Sequence, residues 1–221
     1  MKTKNWQWLF FDMGGVILND DEPERLRQQA LLQVAQHYMP NVTMDNVYQA
    51  WMEASKLFGS VRIQALRVLL KGSPKLTEAE TEYTAACQYN YHSLSTIRPE
   101  AKSVLVELSQ RYNLGIIANQ SAKTTELLES SGLLQYFSHQ KMSAHIGLEK
   151  PDPNIFLTVL KDTGAKASES VMVDDNWFRG LVPSRELGMS TVLYRRDLIP
   201  YPDTATPDFT INNLEELLSL F

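Results

Sequence analysis

Short apolar runs that alternate with stretches of helical periodicity constrain this chain more than any other feature. Trp8-Leu9-Phe10-Phe11 is followed, much later, by runs at Leu114–Ala118, Ser170–Asp174, Thr191–Tyr194 and Phe209–Ile211. Helical stretches Glu100–Tyr112, Ala122–Ser131, Pro153–Asp162 and Arg179–Leu187 separate the later runs, and Leu214–Leu220 ends the chain. A weaker strand is expected around Phe137–Ser143. Buried strands separated by helices predict a parallel sheet with right-handed crossovers.

The alternation is interrupted once. From Asp20 to Ser95 the sequence carries no strand signal, and apolar positions such as Leu26, Ala30, Val34 and Tyr38 recur at helical spacing. Helices are expected at Pro23–Tyr38, Met44–Leu57, Val61–Leu70 and Thr77–Tyr91. Gly72-Ser73-Pro74 breaks this block, and Thr77 with Glu80 reads as a capping box. The division expected is therefore a core formed by residues 1–19 and 96–221 and a helical insert of residues 20–95. Both ends of the insert leave from the core, which would set it over the C-terminal edge of the sheet.

Composition narrows the function classes. Hydrophobic residues make up 43% and charged residues 21% of 221, as in an ordinary globular chain. A net charge of -5 argues against non-specific nucleic-acid binding. The single cysteine, Cys87, excludes an internal disulfide and a paired-cysteine metal site, with a cytoplasmic location as the default. The apolar run behind Met1-Lys2-Thr3-Lys4 is short and breaks at Asp12, unlike a signal peptide. No run approaches the roughly 18 apolar residues of a membrane span.

Chemistry is expected where strands end. Asp12-Met13-Gly14-Gly15 follows the first run, Ala118-Asn119-Gln120 follows the second, and Asp174-Asp175-Asn176 ends the third. In open α/β sheets ligands bind outside the carboxyl ends of the strands. Taken singly each charged residue has a plain alternative: Asp12 as a turn residue, Asp174 or Asp175 as a helix cap, and Lys150, in the segment Glu149-Lys150-Pro151, as a solvated lysine.

The order of these segments resembles the haloacid dehalogenase-like hydrolase superfamily, whose members use an aspartate nucleophile. The most specific parts are Lys150-Pro151-Asp152-Pro153-Asn154-Ile155-Phe156 and Asp174-Asp175 with Leu187-Gly188-Met189 downstream. The resemblance implies an α/β fold, with a three-layer Rossmann-like core, a parallel sheet and an all-helical cap inserted after the first strand. It implies Asp12 as nucleophile, Lys150 as its charge partner and phosphate holder, and Asn119 as a second phosphate contact. It also implies Mg²⁺ bound by Asp12, the Gly14 carbonyl and Asp175, and a small phosphorylated metabolite as substrate. Cap residues Asp20, Asp21, His37, Trp51, Arg62, Arg67 and His92 are candidates for substrate contact, and Asn176-Trp177-Phe178 for the pocket mouth, against either substrate or the cap.

Besides Asp174, which stands where glycine is more usual, three positions depart from the family pattern. Gly14 stands where a second aspartate usually acts as general acid and base. Ala118 stands where a hydroxyl usually holds a phosphate oxygen, and Gly180 where a second acid often follows the motif around Asp175. The expected activity is a Mg²⁺-dependent phosphatase working through an aspartyl-phosphate. The departures leave open a metal-independent dehalogenase-type hydrolase and a weakened pseudo-enzyme that binds a phosphorylated ligand. The sequence is silent on oligomeric state.

Overall fold

The computed structural model describes residues 5–88 and 94–221. Five strands form one wholly parallel sheet: β1 (Trp8–Phe11), β4 (Asn113–Ile116), β5 (Ser170–Asp174), β6 (Ser190–Tyr194) and β7 (Phe209–Ile211), in the order β4-β1-β5-β6-β7. β1 lies between β4 and β5, with Phe11 level with Ile116 on one side and Val173 on the other. Two strands end beside each other in this way, so Asp12, just past β1, and Asp174-Asp175, at the end of β5, share one sheet edge.

Alternation along each strand divides the core into two faces. Leu9, Phe11, Val171 and Val173 pack on one side with Val104 and Leu108 of α5 (Ala101–Ser109) and Leu128 of α6 (Ala122–Ser130). Phe10 and Met172 pack on the other with Ile155, Phe156 and Val159 of α8 (Pro153–Thr163). This is the three-layer α/β core expected. At about 25 cal/mol per Å² of buried apolar surface, each of these large side chains contributes roughly 1.5–3 kcal/mol before the loss of chain entropy. No described helix is long and apolar enough to cross a membrane.

The insert has its own apolar centre. Helices α1 (Asp21–Tyr38), α2 (Met44–Ser55), α3 (Val61–Leu69) and α4 (Leu76–Ala86) enclose Leu31, Val34, Trp51, Leu66 and Tyr83. A small antiparallel ribbon of β2 (Leu18–Asn19) and β3 (Thr96–Ile97) joins its two ends. Nothing in the residue pattern signals this ribbon, since two-residue strands leave no periodicity to read.

Three expectations are corrected. The weak strand at 137–143 is instead a single bridge between Gly115 and His139 followed by the short helix α7 (Ser143–Ile146). No capping box forms at Thr77 and Glu80, because α4 starts at Leu76 with Lys75 as its N-cap, which puts Thr77 inside the first turn and leaves Glu80 to pair with Arg67 at 2.6 Å. Boxes form instead at Thr43 with Asn46 and at Asn213 with Glu216. The helix expected at 179–187 opens as a wide turn over Trp177–Leu181, where Leu181 N–H donates to Asn176 O, before α9 (Val182–Glu186). Residues 89–91 of the fourth cap helix, and His92, lie outside the described residues.

Candidate active site

Asp12 leaves β1 with its N–H still bonded to Val173 O at 2.9 Å, so its position is set by the sheet ladder. Lys150 reaches it from the loop before α8. The lysine ammonium donates to Asp12 Oδ1 at 2.7 Å and to Asp174 Oδ2 at 2.6 Å, and all three side chains are buried. The other oxygen of Asp174 accepts from Asn176 N–H at 2.8 Å, so this carboxylate is fully engaged. Asp175, next along the chain, accepts instead from Arg196 Nη1 at 2.5 Å.

The electrostatics follow from burial. Desolvation pushes Asp12 up to about 6, opposed by Lys150 and reinforced by Asp174. Burial likewise pushes Asp175 up to about 7 against the pull of Arg196, with Asp12 and Asp20 adding to the rise. Burial alone would lower the Lys150 pKa, yet Asp12 and Asp174 outweigh it and raise it. The site therefore holds a fixed ammonium and more buried carboxylate than it can easily keep ionised.

The main chain around Lys150 is pinned. Asn119 Oδ1 accepts from Lys150 N–H at 2.7 Å, and Asn119 Nδ2 donates back to Lys150 O at 2.8 Å. Arg179 Nε donates to the same carbonyl at 3.1 Å and its Nη2 does so as well. The Asn119 side chain thus acts first on the lysine. Ala118, at the same strand tip, is fully buried and has no hydroxyl to offer.

Above these groups lies a cleft of about 420 Å³ between the sheet edge and the insert, lined by Gly14, Asn119 and Asn176 from the core and by Asp20, Trp51 and Arg62 from the insert. Its walls are tied together: Gly59 N–H donates to Glu149 Oε1 at 2.7 Å, Arg179 Nη1 donates to Gly59 O at 2.9 Å, and Asn176 Nδ2 donates to Ser55 Oγ at 3.2 Å. Of the cap candidates, Asp20, Trp51 and Arg62 reach the cleft, while Asp21 grips Arg196. His37 and Arg67 turn away to Glu82 and Glu80. Of Asn176-Trp177-Phe178, Asn176 lines the cleft, Phe178 packs against the insert with Lys56 Nζ 4.8 Å from its ring, and Trp177 lies in the core cluster with Phe156.

Sequence reasoning missed Arg179, Arg196, Glu24 and Glu149, all of which line the cleft. A signal existed for Arg196. It follows β6, and the rule that strand tips carry chemistry applies to Arg195-Arg196 as it did to Asp12.

One carboxylate oxygen from each of Asp12, Asp174 and Asp175 lies within 4.8 Å of the others. Oxygen donors of this kind suit a hard divalent cation, which would also offset the crowded negative charge. These residues fit a metal, with Asp12 and Asp175 the freer pair.

The chain is similar to several known proteins. It is 28% identical to a glyceraldehyde 3-phosphate phosphatase from Pyrococcus furiosus, over 96% of this chain and 91% of that one. It is 32% identical to a phosphoserine phosphatase from Thermus thermophilus over 54% of this chain and 49% of that one. Among solved structures, the putative HAD-hydrolase YfnB from Bacillus subtilis aligns with a TM-score of 0.67 at 21% identity, covering 98% of this chain and 99% of that one. Residues 9–194, from the first strand to the end of β6, match the model of the haloacid dehalogenase-like hydrolases, and the chain belongs to that family.

Proposed function

We propose that this hydrolase is a Mg²⁺-dependent phosphatase of a small phosphorylated metabolite, with Asp12 as its nucleophile. The observation that carries the reading is the Lys150 ammonium held between Asp12 and Asp174, at 2.7 and 2.6 Å, on the floor of the cleft. Asp12 Oδ attacks phosphorus, the bond from phosphorus to the leaving oxygen breaks, and water then cleaves the aspartyl-phosphate. Lys150 keeps Asp12 ionised for attack and offers a point charge to the phosphoryl oxygens. Asn119 orients Lys150 and stands at the same wall of the cleft for a phosphate contact. Asp12, the Gly14 carbonyl and Asp175 would hold Mg²⁺, which supplies charge neutralisation for the phosphoryl group. Residues 20–95 serve as the cap that closes the cleft and selects the substrate.

The relatives named for glyceraldehyde 3-phosphate and phosphoserine support a small, polar phosphate ester. The cleft volume of about 420 Å³ suits a substrate of that size. Hydrolysis of a chromogenic phosphate ester with and without Mg²⁺ tests the reading. Turnover that requires the metal is expected. Metal-free turnover of a haloacid would make the protein a dehalogenase, and binding of phosphorylated ligands without turnover would make it a pseudo-enzyme.

A further inference from the structure

The Asp175 carboxylate already has a cation. Arg196 Nη1 lies 2.5 Å from Asp175 Oδ2, and the same guanidinium reaches Asp21 Oδ1 through Nη2 at 2.6 Å and Nε at 2.9 Å. Its Nη2 also lies 2.8 Å from Asp20 Oδ1. The arginine is buried, on a loop just past β6, and its three carboxylate partners come from two different parts of the fold. Asp175 belongs to the catalytic sheet edge, whereas Asp20 and Asp21 open α1 of the insert.

The loop after Asp12 is shaped around this contact. Gly15 has φ +77°, and a Cβ there would fall 2.0 Å from Arg196 Nη1 and 2.2 Å from Asp175 Oδ2. Any side chain at position 15 would therefore push the guanidinium off the carboxylate. Arg98 fixes the same residue from behind, donating to Gly15 O at 2.8 Å.

We infer that Arg196 is a resident cation of the site, and that a divalent metal taking Asp175 does so in competition with its guanidinium. The inference rests on the metal-dependent reading above. When the metal is bound, Arg196 gives up Asp175 Oδ2 and is retained by Asp20 and Asp21. Arg196 is thus a positioning residue that sets metal affinity and links metal occupancy to the first turn of the insert. A neighbouring positive charge changes the affinity of a carboxylate for a proton by about 10- to 1000-fold, and the penalty on a divalent cation is expected to be at least as large.

The experiment is Mn²⁺ binding measured by calorimetry and by the paramagnetic resonance of free Mn²⁺, on the full chain and on Arg196→Gln. The variant should bind Mn²⁺ at least about tenfold more tightly than the unmodified protein. Equal or weaker binding by a folded variant overturns the inference and leaves the phosphatase reading intact. Binding by neither protein, with Asp175→Asn as control, overturns both. A second measurement needs no mutation: Mg²⁺ added to the unmodified protein should shift the Arg196 Nε–H resonance and leave that of Arg111, which is remote from the site, in place. An Arg196 signal that does not move while Mg²⁺ binds overturns the inference, even where Arg196→Gln fails to fold.

Discussion

Gly180 and Asp174 occupy one space between them. A Cβ on Gly180 would lie 2.0 Å from Asp174 Oδ2 and 2.7 Å from its Cβ, so the carboxylate that holds Lys150 stands where a side chain at 180 would have been. The sequence read as two separate departures from the family pattern, an acid in place of glycine at 174 and a glycine in place of an acid at 180. In the fold the two are coupled by space: Asp174 supplies the lysine's second carboxylate from the strand tip, and the glycine at 180 leaves room for it.

This coupling predicts a compensation. Gly180→Ala should force Asp174 away from Lys150 and lower turnover by roughly 100-fold, because a shift of about 1 Å at a catalytic contact costs that much. Asp174→Gly alone should lose as much by removing the partner. Asp174→Gly with Gly180→Asp should recover a large part of the loss, which a double-mutant cycle on kcat/KM measures directly. A double variant no better than the product of the single ones would mean that the two positions are independent.

Asp12→Asn should leave folding nearly unchanged, since the side chains are almost isosteric, and should abolish turnover because an amide is a poor nucleophile. Circular dichroism and a single-turnover assay for phosphoenzyme separate the two effects. Retained hydrolysis would move the nucleophile elsewhere.

The sheet edge was legible because each strand is a short apolar run with a polar end. β1, β5 and β7 fall where the sequence puts them, and Asp12, Lys150 and Asp175 meet at one cleft. What could not be read are the features made only by long-range contact. The clamp of Asn119 on Lys150 joins residues 31 apart, and the hold of Arg196 on Asp21 joins residues 175 apart. Neither pair leaves a local pattern. The segment at 137–143 misled for the opposite reason: Phe137 and Met142 are buried, but one bridge at His139 uses up the edge of β4, and the chain then turns into α7.

His139 predicts a pH dependence of stability away from the catalytic groups. It is buried beside β4, neither ring nitrogen has a hydrogen-bond partner, and Asp162 stands 3.9 Å off, with Lys141 also bonded to that acid. Burial lowers its pKa below the usual 6.5, only partly opposed by Asp162. The unfolded chain then binds more protons than the folded one below about pH 6.5, so this residue's contribution is full above that pH and is lost as the pH falls toward its folded value. His139→Leu should flatten the stability profile below pH 6.5 and raise stability at neutral pH by about 1 kcal/mol, by removing unpaired buried nitrogens. Urea unfolding at several pH values checks both; parallel profiles for the two proteins would show that the ring does not titrate on unfolding.

The last prediction concerns the proton that Gly14 cannot give. Expelling an alkoxide needs a donor, whereas an aryl, acyl or anomeric oxygen leaves as a more stable anion. The enzyme should therefore prefer such leaving groups over simple alkyl phosphates, by a factor within the 10²–10⁴ range that general acid catalysis supplies, roughly. Gly14 is not among the residues with positive φ, so an aspartate there meets no backbone penalty of that kind. Gly14→Asp should narrow the gap by raising the alkyl rate while the aryl rate changes little. Matched rates on aryl and alkyl esters in the unmodified protein would mean that another acid already donates. Two buried carboxyls on the insert side of the cleft are then the ones to change, Asp20 and Glu24. Glu24 has its pKa raised by burial, against the opposing pull of Arg27. In that outcome Glu24→Gln should slow the alkyl ester selectively, because an aryl leaving group has little use for the proton that the amide no longer supplies.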